Sequence, residues 1–586
     1  MIRNVCLDKR HGWILVCIFS IFVSLFLQWH TGIIPISGVH DSLKFLDMAE
    51  TLSKGKWLGE YNHMALIRSP VYPGVLALNR AIGWWSLQQS QIIAYLLGII
   101  LLAVALQKMS VPGCRIAAVC VLCSCHPAAW IPCRFVATEA LYTPVVTIAL
   151  ASAIGVMGSV REARYPLVLW LLALSVSVAL AWQMRDESLW LIPASGAYAG
   201  YFLWELMRDS RDQGPRIRGQ GADGGGWKVA TGKQGTTDWR RWGLGIACVA
   251  LPGLSIFILT VWIQQQNLRH YGVAVINELA EPGFKTAFSW LTRLDGESHH
   301  PYVPVTRKAM HDANRVSSHF QMIYPYLSRQ FDGDGWSKFG CQWMGVCDEL
   351  AGGWAVWAIR DAADSIGAHV SADQAAGFYA DLAQEIETGC RTGQLSCISN
   401  PTGNMLAPPL KWIDIPRFLY STVRVLWMTF WLGDLPETYQ LIAGQAPSAE
   451  LTERFGPVVG TLDGRQSMFI VNFGGILSWM FRVIQTICGI WILAVIVTKG
   501  IARIRGKSSI VKDGDYRNLW VIGLLMVLIA SRLAIVSYVD AMSYWVQVRY
   551  MLVIYPALIT LICLTLPSWP FPRRQDWKKN PLVSGV

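Results

Sequence analysis

Long apolar segments are the feature that most constrains this chain. A helix of about 20 apolar residues can cross the hydrocarbon core of a bilayer, and several segments reach or approach that length, beginning with Trp13–Trp29. Closed β-barrels also span bilayers, but their sequences show short segments of alternating polarity. Only 15% of the residues are charged, against roughly a quarter in soluble domains. The sequence therefore predicts an all-α polytopic membrane protein.

We predict about ten transmembrane helices. They are Trp13–Trp29, Gln91–Leu106, Ile116–Trp130, Leu141–Met157, Pro166–Trp182, Leu189–Leu206, Trp242–Ile263, Phe473–Thr498, Leu519–Tyr538 and Tyr550–Leu566. Val71–Trp84 is short and arginines interrupt Ile413–Leu432, so we interpret both as helices at the outer interface. Residues 1–263 then form an N-terminal transmembrane core, 264–472 a mixed extracytoplasmic region, and 473–586 the C-terminal transmembrane helices.

The basic residues predict the orientation of these helices, because cytoplasmic loops are rich in Lys and Arg. With the N-terminus in the cytoplasm, the strongly basic segments 207–241, 499–517 and 573–579 all lie inside. The net charge of +11 is therefore attributed to membrane topology and not to nucleic-acid binding. We expect a protein of the bacterial inner (plasma) membrane with both termini in the cytoplasm.

Charged residues collect where the predicted helices reach the outer face. Four are arginines and four are acids, namely Arg68, Arg134, Arg185 and Arg549, with Asp41, Glu139, Asp186 and Glu187. Guanidinium groups suit phosphate or pyrophosphate, and a carboxylate beside them can act as a base. Ion pairs that only stabilise the fold give the same pattern, and Asp41 and Thr138 also suit helix capping. Both interpretations remain open.

Four cysteines lie in the predicted extracytoplasmic region, where an oxidising compartment favours disulfides. Four cysteines allow three pairings, and closeness in sequence favours Cys341–Cys347 and Cys390–Cys397. Four buried free thiols are the alternative.

The order of these pieces resembles the GT-C superfamily of membrane glycosyltransferases, in the branch that includes lipid A aminoarabinose transferases and protein O-mannosyltransferases. The matching pieces are Asp41 with its following helix and Gly55, Arg68-x-Pro70-x-Tyr72-Pro73, Thr138-Glu139, Arg185-x-Glu187 and Arg549-Tyr550. These pieces are short and are distributed from one end of the chain to the other. Residues 264–472 match no part of the family.

The resemblance implies a GT-C fold and a glycosyltransferase that uses a polyprenyl-phosphate or diphosphate sugar donor. It implies Asp41 as the catalytic base, with Glu139 in the catalytic set. The donor phosphate would lie against Arg185, Glu187, Arg549 and Tyr550, with Arg68 and Arg134 as helpers. Some members of the family use a divalent metal ion and others do not. Since no second acid follows Asp41 directly, the resemblance implies no certain cofactor.

The acceptor is left open by a departure from the family pattern. Arg68-Ser69-Pro70 stands where the aminoarabinose branch typically has Lys-Pro-Pro, so a lipid, a glycan or a protein can be the acceptor. A membrane glycan polymerase or ligase with the same carriers is an alternative function, as is a noncatalytic scaffold. A transporter is a further alternative, although the chain shows no convincing internal repeat of the kind that transporters often have.

Overall fold

The computed structural model describes residues 12–29, 32–33, 42–130, 132–160, 164–212, 239–294, 302–332, 335–398, 410–433, 449–459, 468–504 and 515–565. Asp41, the expected catalytic base, lies outside these ranges. The described residues are mostly helical and form no β-strand, although an isolated bridge joins Leu294 and Cys397. The all-α prediction is therefore confirmed for the described part of the chain.

The helices fall into three groups along the sequence. The N-terminal helices are α1 (Gly12–Gln28), α2 (Ser42–Ser53), α3 (Val71–Ile82), α4 (Leu87–Lys108), α5 (Gly113–Cys125), α6 (Glu139–Ser159), α7 (Arg164–Met184), α8 (Leu191–Asp212) and α9 (Trp239–Tyr271). The middle helices are α10 (Pro282–Leu291), α11 (Arg307–Val316), α12 (Ser318–Leu327), α13 (Ser337–Met344), α14 (Gly353–Ser365) and α15 (Ala372–Arg391). The C-terminal helices are α16 (Ile415–Trp431), α17 (Ala449–Val459), α18 (Met468–Ile504), α19 (Asp515–Met542) and α20 (Tyr555–Thr565).

The described residues contain six helices that are long and apolar enough to cross a membrane, which makes the chain an integral membrane protein. They are Leu87–Lys108, Glu139–Ser159, Tyr165–Met184, Trp242–Tyr271, Tyr516–Met542 and Val548–Thr565. Shorter apolar helices cover Gly12–Gln28, Gly113–Cys125 and Gly475–Trp491. Each predicted span overlaps a described helix, although Ile116–Trp130 continues past the end of α5 and Tyr550–Leu566 begins in the 3-10 segment Val548–Ile554. The count of ten crossings is not confirmed. Several of these helices are shorter than a bilayer requires, and α8 carries Glu205 and Arg208.

The apolar helices pack around α6. Helix α4 packs along one side of α6 and α7 along another, and α9 packs against α7. The packing is close, because a Cβ added at Gly155 of α6 would lie 2.3 Å from the Trp170 ring of α7. Helix α6 therefore lies at the centre of the bundle. Its first residue, Glu139, lies among the segments that pack around this helix.

The short helix α2 follows the helical periodicity that its sequence predicts. Gly55 lies just after its last turn and terminates it, as expected. That residue has a φ of +73°, the left-handed conformation that glycine adopts without strain. The amide of Gly55 donates to the carbonyl of Leu52, and the amide of Lys56 donates to that of Thr51. This is the Schellman pattern of helix termination, after which the α2–α3 loop, residues 54–70, begins.

The middle helical region, residues 278–398, has its own apolar core. Helix α10 packs along α15, and Phe284, Phe288 and Ile386 are buried there. The structure contains the disulfides Cys341–Cys347 and Cys390–Cys397, the pairs favoured by their closeness in sequence. The mixed character expected here is not seen in the described residues, which are helical because their apolar side chains recur at helical spacing.

Helix α16 contains the arginines that interrupt the apolar segment Ile413–Leu432. Arg424 forms an ion pair with Asp540, near the end of α19, and donates to the Val546 carbonyl at 2.9 Å. The Val546 amide donates to the same carboxylate at 2.9 Å. This arginine is therefore a packing residue between α16 and the end of α19.

Candidate functional site

Arg185 lies at the centre of the cluster formed by the predicted site residues. It follows α7 and precedes the 3-10 turn Asp186–Trp190. Its Nη1 is 2.8 Å from Oε1 of Glu139, and its Nε is 2.8 Å from Oε1 of Glu187. The guanidinium also lies over the rings of Tyr550 and Tyr142, 5.4 and 5.9 Å from their centroids. Two carboxylates and two aromatic rings thus fix its position.

Thr138 takes part in this cluster and does not cap α6. Its backbone is helical, with φ −58° and ψ −32°, and its side chain makes no capping hydrogen bond. The hydroxyl instead donates to Oε2 of Glu139 and accepts from Nη1 of Arg185, each at 3.3 Å. The capping interpretation of Thr138 is therefore wrong, because the charged neighbours bind its hydroxyl.

Arg532 also belongs to the cluster, although it is not among the site residues predicted from the sequence. It lies within α19, is 1% exposed, and places Nη2 2.7 Å from Oε1 of Glu187. Its Nε and Nη2 donate to the Tyr550 carbonyl at 3.0 and 2.7 Å. A charged residue inside a predicted span is costly and often functional, so its position within Leu519–Tyr538 was the signal that could have found it.

Arg549 and Tyr550 enter the cluster from the turn that precedes α20. The Arg549 guanidinium lies 5.1 Å from the centroid of the Tyr550 ring, and its Nη2 donates to the Tyr550 hydroxyl at 3.4 Å. Arg549 is also close enough to Glu139 to interact with its charge. Arg549-Tyr550 thus lies close to Thr138-Glu139 and to Arg185-x-Glu187, the two matching pieces that precede it in the chain.

Asp186 and Glu187 are adjacent acids whose pKa values shift in opposite directions. Burial raises the pKa of Asp186, and the charge of Arg68 offsets part of that effect. Burial also opposes ionisation of Glu187, but Arg185 and Arg532 outweigh it and lower the pKa of Glu187. Asp186 also accepts a hydrogen bond from Asn277 at 3.0 Å. Glu187 is therefore the acid that is held ionised among the arginines.

The start of α2 is fixed beside the segment that leads to Glu139. Ser42, at the first position of α2, donates to the Val136 carbonyl at 2.7 Å. Phe45 packs edge-on against Tyr72, with ring centroids 5.1 Å apart, and the Tyr72 hydroxyl donates to Gln91 at 3.1 Å. Tyr72, from the second matching piece, therefore connects α2 to the bundle near Glu139.

Arg134 holds a different part of the chain. It is 3% exposed, and its Nε donates to the Gly32 carbonyl at 3.4 Å. Its described hydrogen bond therefore fixes the backbone that follows α1, whereas the described contacts of Arg185 and Arg549 lie with Glu139 and Tyr550.

Arginines and carboxylates from several parts of the chain meet in this cluster, which we call the arginine–carboxylate site. The charged side chains described there are Arg68, Arg185, Arg532 and Arg549, with Glu139, Asp186 and Glu187. Guanidinium groups match the geometry of phosphate oxygens, so this gathering of arginines is a candidate site for an anionic group.

Comparisons with known proteins give little that identifies the chain. No protein-family model matches it, and no curated protein matches it. Among solved structures it is similar to two crystal structures of ArnT from Cupriavidus metallidurans, one bound to undecaprenyl phosphate and one in the apo state. The identities are 13% and 12%, over 91% and 94% of this chain and 78% and 77% of those chains. The TM-score of 0.30 in both comparisons is too low to establish a common fold.

Proposed function

We propose that this protein is a membrane glycosyltransferase that moves a sugar from a polyprenyl-phosphate or diphosphate carrier to an acceptor hydroxyl or phosphate. The observation that carries the proposal is the arginine–carboxylate site, where several guanidinium groups are gathered beside apolar helices. A molecule with an anionic phosphate head and a long hydrocarbon tail matches both features. Arginine is the side chain best suited to bind such a head.

The residues of the site divide the work between anion binding and orientation. Arg549 and Arg185 hold the donor phosphate, and Arg68 supports them from the α2–α3 loop. Glu139 and Glu187 orient Arg185, from which they are each 2.8 Å away. Tyr550 places its ring beneath both guanidinium groups. Rigid placement of charged groups is what stabilises charge that develops during a transfer reaction.

The transfer itself is a direct displacement with inversion. The acceptor oxygen attacks the anomeric carbon of the sugar, the bond from that carbon to the carrier phosphate oxygen breaks, and the lipid phosphate leaves with the electron pair. Asp41 takes the proton from an acceptor hydroxyl. The positive charge of the site stabilises the leaving phosphate as its negative charge grows.

The membrane orientation belongs to the same proposal. The N- and C-termini lie in the cytoplasm of a bacterium, and the arginine–carboxylate site lies on the periplasmic face of the inner membrane. The acceptor is a lipid, a glycan or a protein. A membrane polymerase or ligase of glycans would use the same carriers.

The test is transfer of labelled sugar from membrane lipid extracts by the purified full-length protein. We expect wild type to transfer the label, and Asp41→Asn to lose at least the factor of about 10² to 10⁴ that a general base contributes. Arg549→Gln should raise the KM for the donor, because it removes a phosphate-binding group. Arg391→Gln is the matched control, since its side chain is 76% exposed on α15 and pairs with Glu387; it should retain wild-type transfer.

Each outcome of this test has a distinct meaning. Equal transfer by wild type and Asp41→Asn would remove Asp41 as the base. An equal loss of sugar transfer in Arg391→Gln would show that removal of an arginine outside the site also reduces transfer. Failure of wild type with every donor extract would contradict the proposal and favour a transporter.

A further inference from the structure

Helix α16 carries an arginine, Arg417, whose guanidinium makes no described hydrogen bond or ion pair. The residue is half-buried, and its Nη1 is buried without a hydrogen-bond partner among the described residues. Buried polar atoms in proteins are normally hydrogen-bonded, and an exception calls for an explanation such as a bound ion. Arg417 is therefore available for an anionic ligand.

The acidic side chains around Arg417 have other partners. The carboxylate of Asp540 is paired with Arg424. Asp414, which precedes α16, accepts a hydrogen bond from the Lys411 amide at 3.1 Å. Within the described part of the chain, neither acid forms an ion pair with Arg417, so its charge is not matched by these neighbours.

Arg417 lies at the level of lipid headgroups. The Tyr302 side chain is close enough to Arg417 and Asp540 to interact with both charges, and Asp540 is in the last turn of α19. Helix α19 has 28 residues, which is about 42 Å at 1.5 Å per residue. That length matches a bilayer together with its headgroup regions, about 40–45 Å. The end of α19, with Arg417 beside it, therefore reaches the headgroups.

An exposed apolar surface continues from Arg417 along one side of α16. This α16 surface consists of Tyr420, Val423 and Trp427, which are 65%, 65% and 57% exposed. With about 3.6 residues per turn, Arg417 and these side chains lie within about 120° of one another around the helix. Trp427 is about 15 Å further along the helix axis than Arg417, half of a hydrocarbon core of about 30 Å. The α16 surface therefore has about the length of an acyl chain in one leaflet.

The far end of α16 lies in the membrane part of the molecule. The Thr429 carbonyl accepts a hydrogen bond from the Tyr555 hydroxyl at 2.9 Å, and Tyr555 belongs to the apolar segment Val548–Thr565. Val425 and Met428 of α16 are buried in the same apolar core as Tyr555. One side of α16 thus packs on the bundle, and its exposed side faces the hydrocarbon.

We propose that an anionic phospholipid binds here, with its phosphate at Arg417 and an acyl chain along the α16 surface. A guanidinium group matches phosphate oxygens through parallel N–H···O hydrogen bonds. Tyr302, which also lies close to Tyr420, offers a hydroxyl group as a further donor. Aromatic residues are common at membrane interfaces, which explains the exposed rings but not the unpartnered nitrogen of Arg417.

The lipid would join α16 to the segment that carries Tyr302, whose carbonyl accepts from the Gly352 amide. A free phosphate has the same head chemistry, but it leaves the α16 surface uncovered. Among the described residues no contact joins Arg417 to the arginine–carboxylate site, so the proposal does not depend on sugar transfer.

The test measures lipid binding to the full-length protein after delipidation in detergent. Phosphatidylglycerol with long acyl chains is added in steps, and native mass spectrometry gives the dissociation constant of the first bound lipid. We expect Arg417→Gln to weaken this binding about tenfold or more, because it removes hydrogen bonds made by a charged group. Arg391→Gln, with a side chain 76% exposed on α15, is the matched control and should bind like wild type.

The melting temperature of wild type keeps the proposal testable if Arg417→Gln does not fold. Phosphatidylglycerol should raise it by mass action. Diacylglycerol with the same chains, or inorganic phosphate at the same concentration, should raise it less, because only phosphatidylglycerol has both the phosphate and the chains.

Three results would overturn the site. Equal binding of phosphatidylglycerol by wild type and Arg417→Gln would mean that Arg417 holds no lipid phosphate. An equal rise in melting temperature with diacylglycerol would mean that lipid only covers an apolar surface. An equal rise with inorganic phosphate would mean that an anion binds without a lipid chain. These measurements contain no sugar donor, so they stand whether or not the protein is a glycosyltransferase.

Discussion

Arg532 shows how one buried charge can organise distant parts of the chain. Its guanidinium binds Glu187, which is 345 residues away in sequence, and the Tyr550 carbonyl across the turn before α20. It also lies 5.3 Å from the centroid of the Trp190 ring. Removal of water from an ion is expensive, and only close partners offset that cost. Arg532 therefore connects α19, the turn after α7 and the segment before α20.

We expect Arg532→Met to destabilise the protein strongly. Loss of one partner from a buried ion pair costs about 3–5 kcal/mol, because Glu187 would keep its charge with less compensation. The measurement is the apparent melting temperature in detergent. Arg391→Met removes an exposed i, i+4 pair with Glu387 and should cost about 0.5 kcal/mol or less. Equal melting of Arg532→Met and wild type would mean that Arg185 alone compensates Glu187.

The charged site residues predicted from the sequence lie close together for two reasons. Some are neighbours in the chain, and others are brought together by the packing of helices. Arg185 and Glu187 are separated by one residue, so their proximity was readable from the chain. The contact between Arg185 and Glu139 depends on how α6 packs against α7, and sequence alone does not give that geometry. Arg532 was missed because its partners are the charged turn after α7 and a backbone carbonyl.

At the scale of single helices, Glu385 of α15 stabilises the start of α12. Its carboxylate accepts hydrogen bonds from the hydroxyls of Ser317 and Ser318 at 2.5 Å and from the His319 amide at 3.1 Å. Burial opposes its ionisation, but these hydrogen bonds and that of the His319 ring outweigh it and lower the pKa of Glu385 to about 2. A carboxylate near a helix N-terminus is also favoured by the helix dipole.

The lowered pKa gives a pH dependence with a definite sign. The ordinary pKa of 4.5 applies to the unfolded chain and about 2 to the folded one, so Glu385 stabilises the fold above pH 4.5 and loses that effect as pH falls to 2. Glu385→Gln should lower the melting temperature at pH 6, and its difference from wild type should shrink toward pH 3. Glu387→Gln, in an exposed pair with Arg391, is the control with a small effect. A constant difference for Glu385→Gln would contradict this assignment.

Helix boundaries were more predictable than membrane crossings. The end of α2 at Gly55 follows from local backbone geometry, which a single residue type determines. A crossing depends on helix length and on what surrounds the helix, and α1 and α5 have only 17 and 13 residues. The middle region was predicted as mixed because its sequence carries charges of both signs, aromatic residues and glycine turns. Its helices are short, and long-range packing of α10 against α15 completes their burial.

At the scale of the whole molecule, the middle helical region touches the membrane helices through a close backbone contact. The Gly352 amide donates to the Tyr302 carbonyl at 2.6 Å, and a Cβ at Gly352 would lie 2.5 Å from the Ser543 carbonyl oxygen. Ser543 follows directly after α19. On the other side of the region, the Glu278 amide donates to the Leu66 carbonyl at 2.8 Å. The region is thus held both at the α2–α3 loop and at the end of α19.

Gly352→Ala tests whether this close contact holds the two parts together. The alanine methyl group would push Ser543 away. The backbone of Gly352, with a φ of +52° and a ψ of −135°, also lies in the mirror image of the extended region, which glycine adopts readily and residues with a Cβ do not. Gly367→Ala is the matched control, because Gly367 has a φ of +78° and no atom within 4 Å of an added Cβ. We expect Gly352→Ala to melt at a lower temperature than Gly367→Ala, because the backbone conformation of Gly352 and its contact with Ser543 both oppose a side chain there. If the two variants melt at the same temperature, neither the contact with Ser543 nor the backbone conformation of Gly352 adds to the cost of an alanine at a glycine with positive φ.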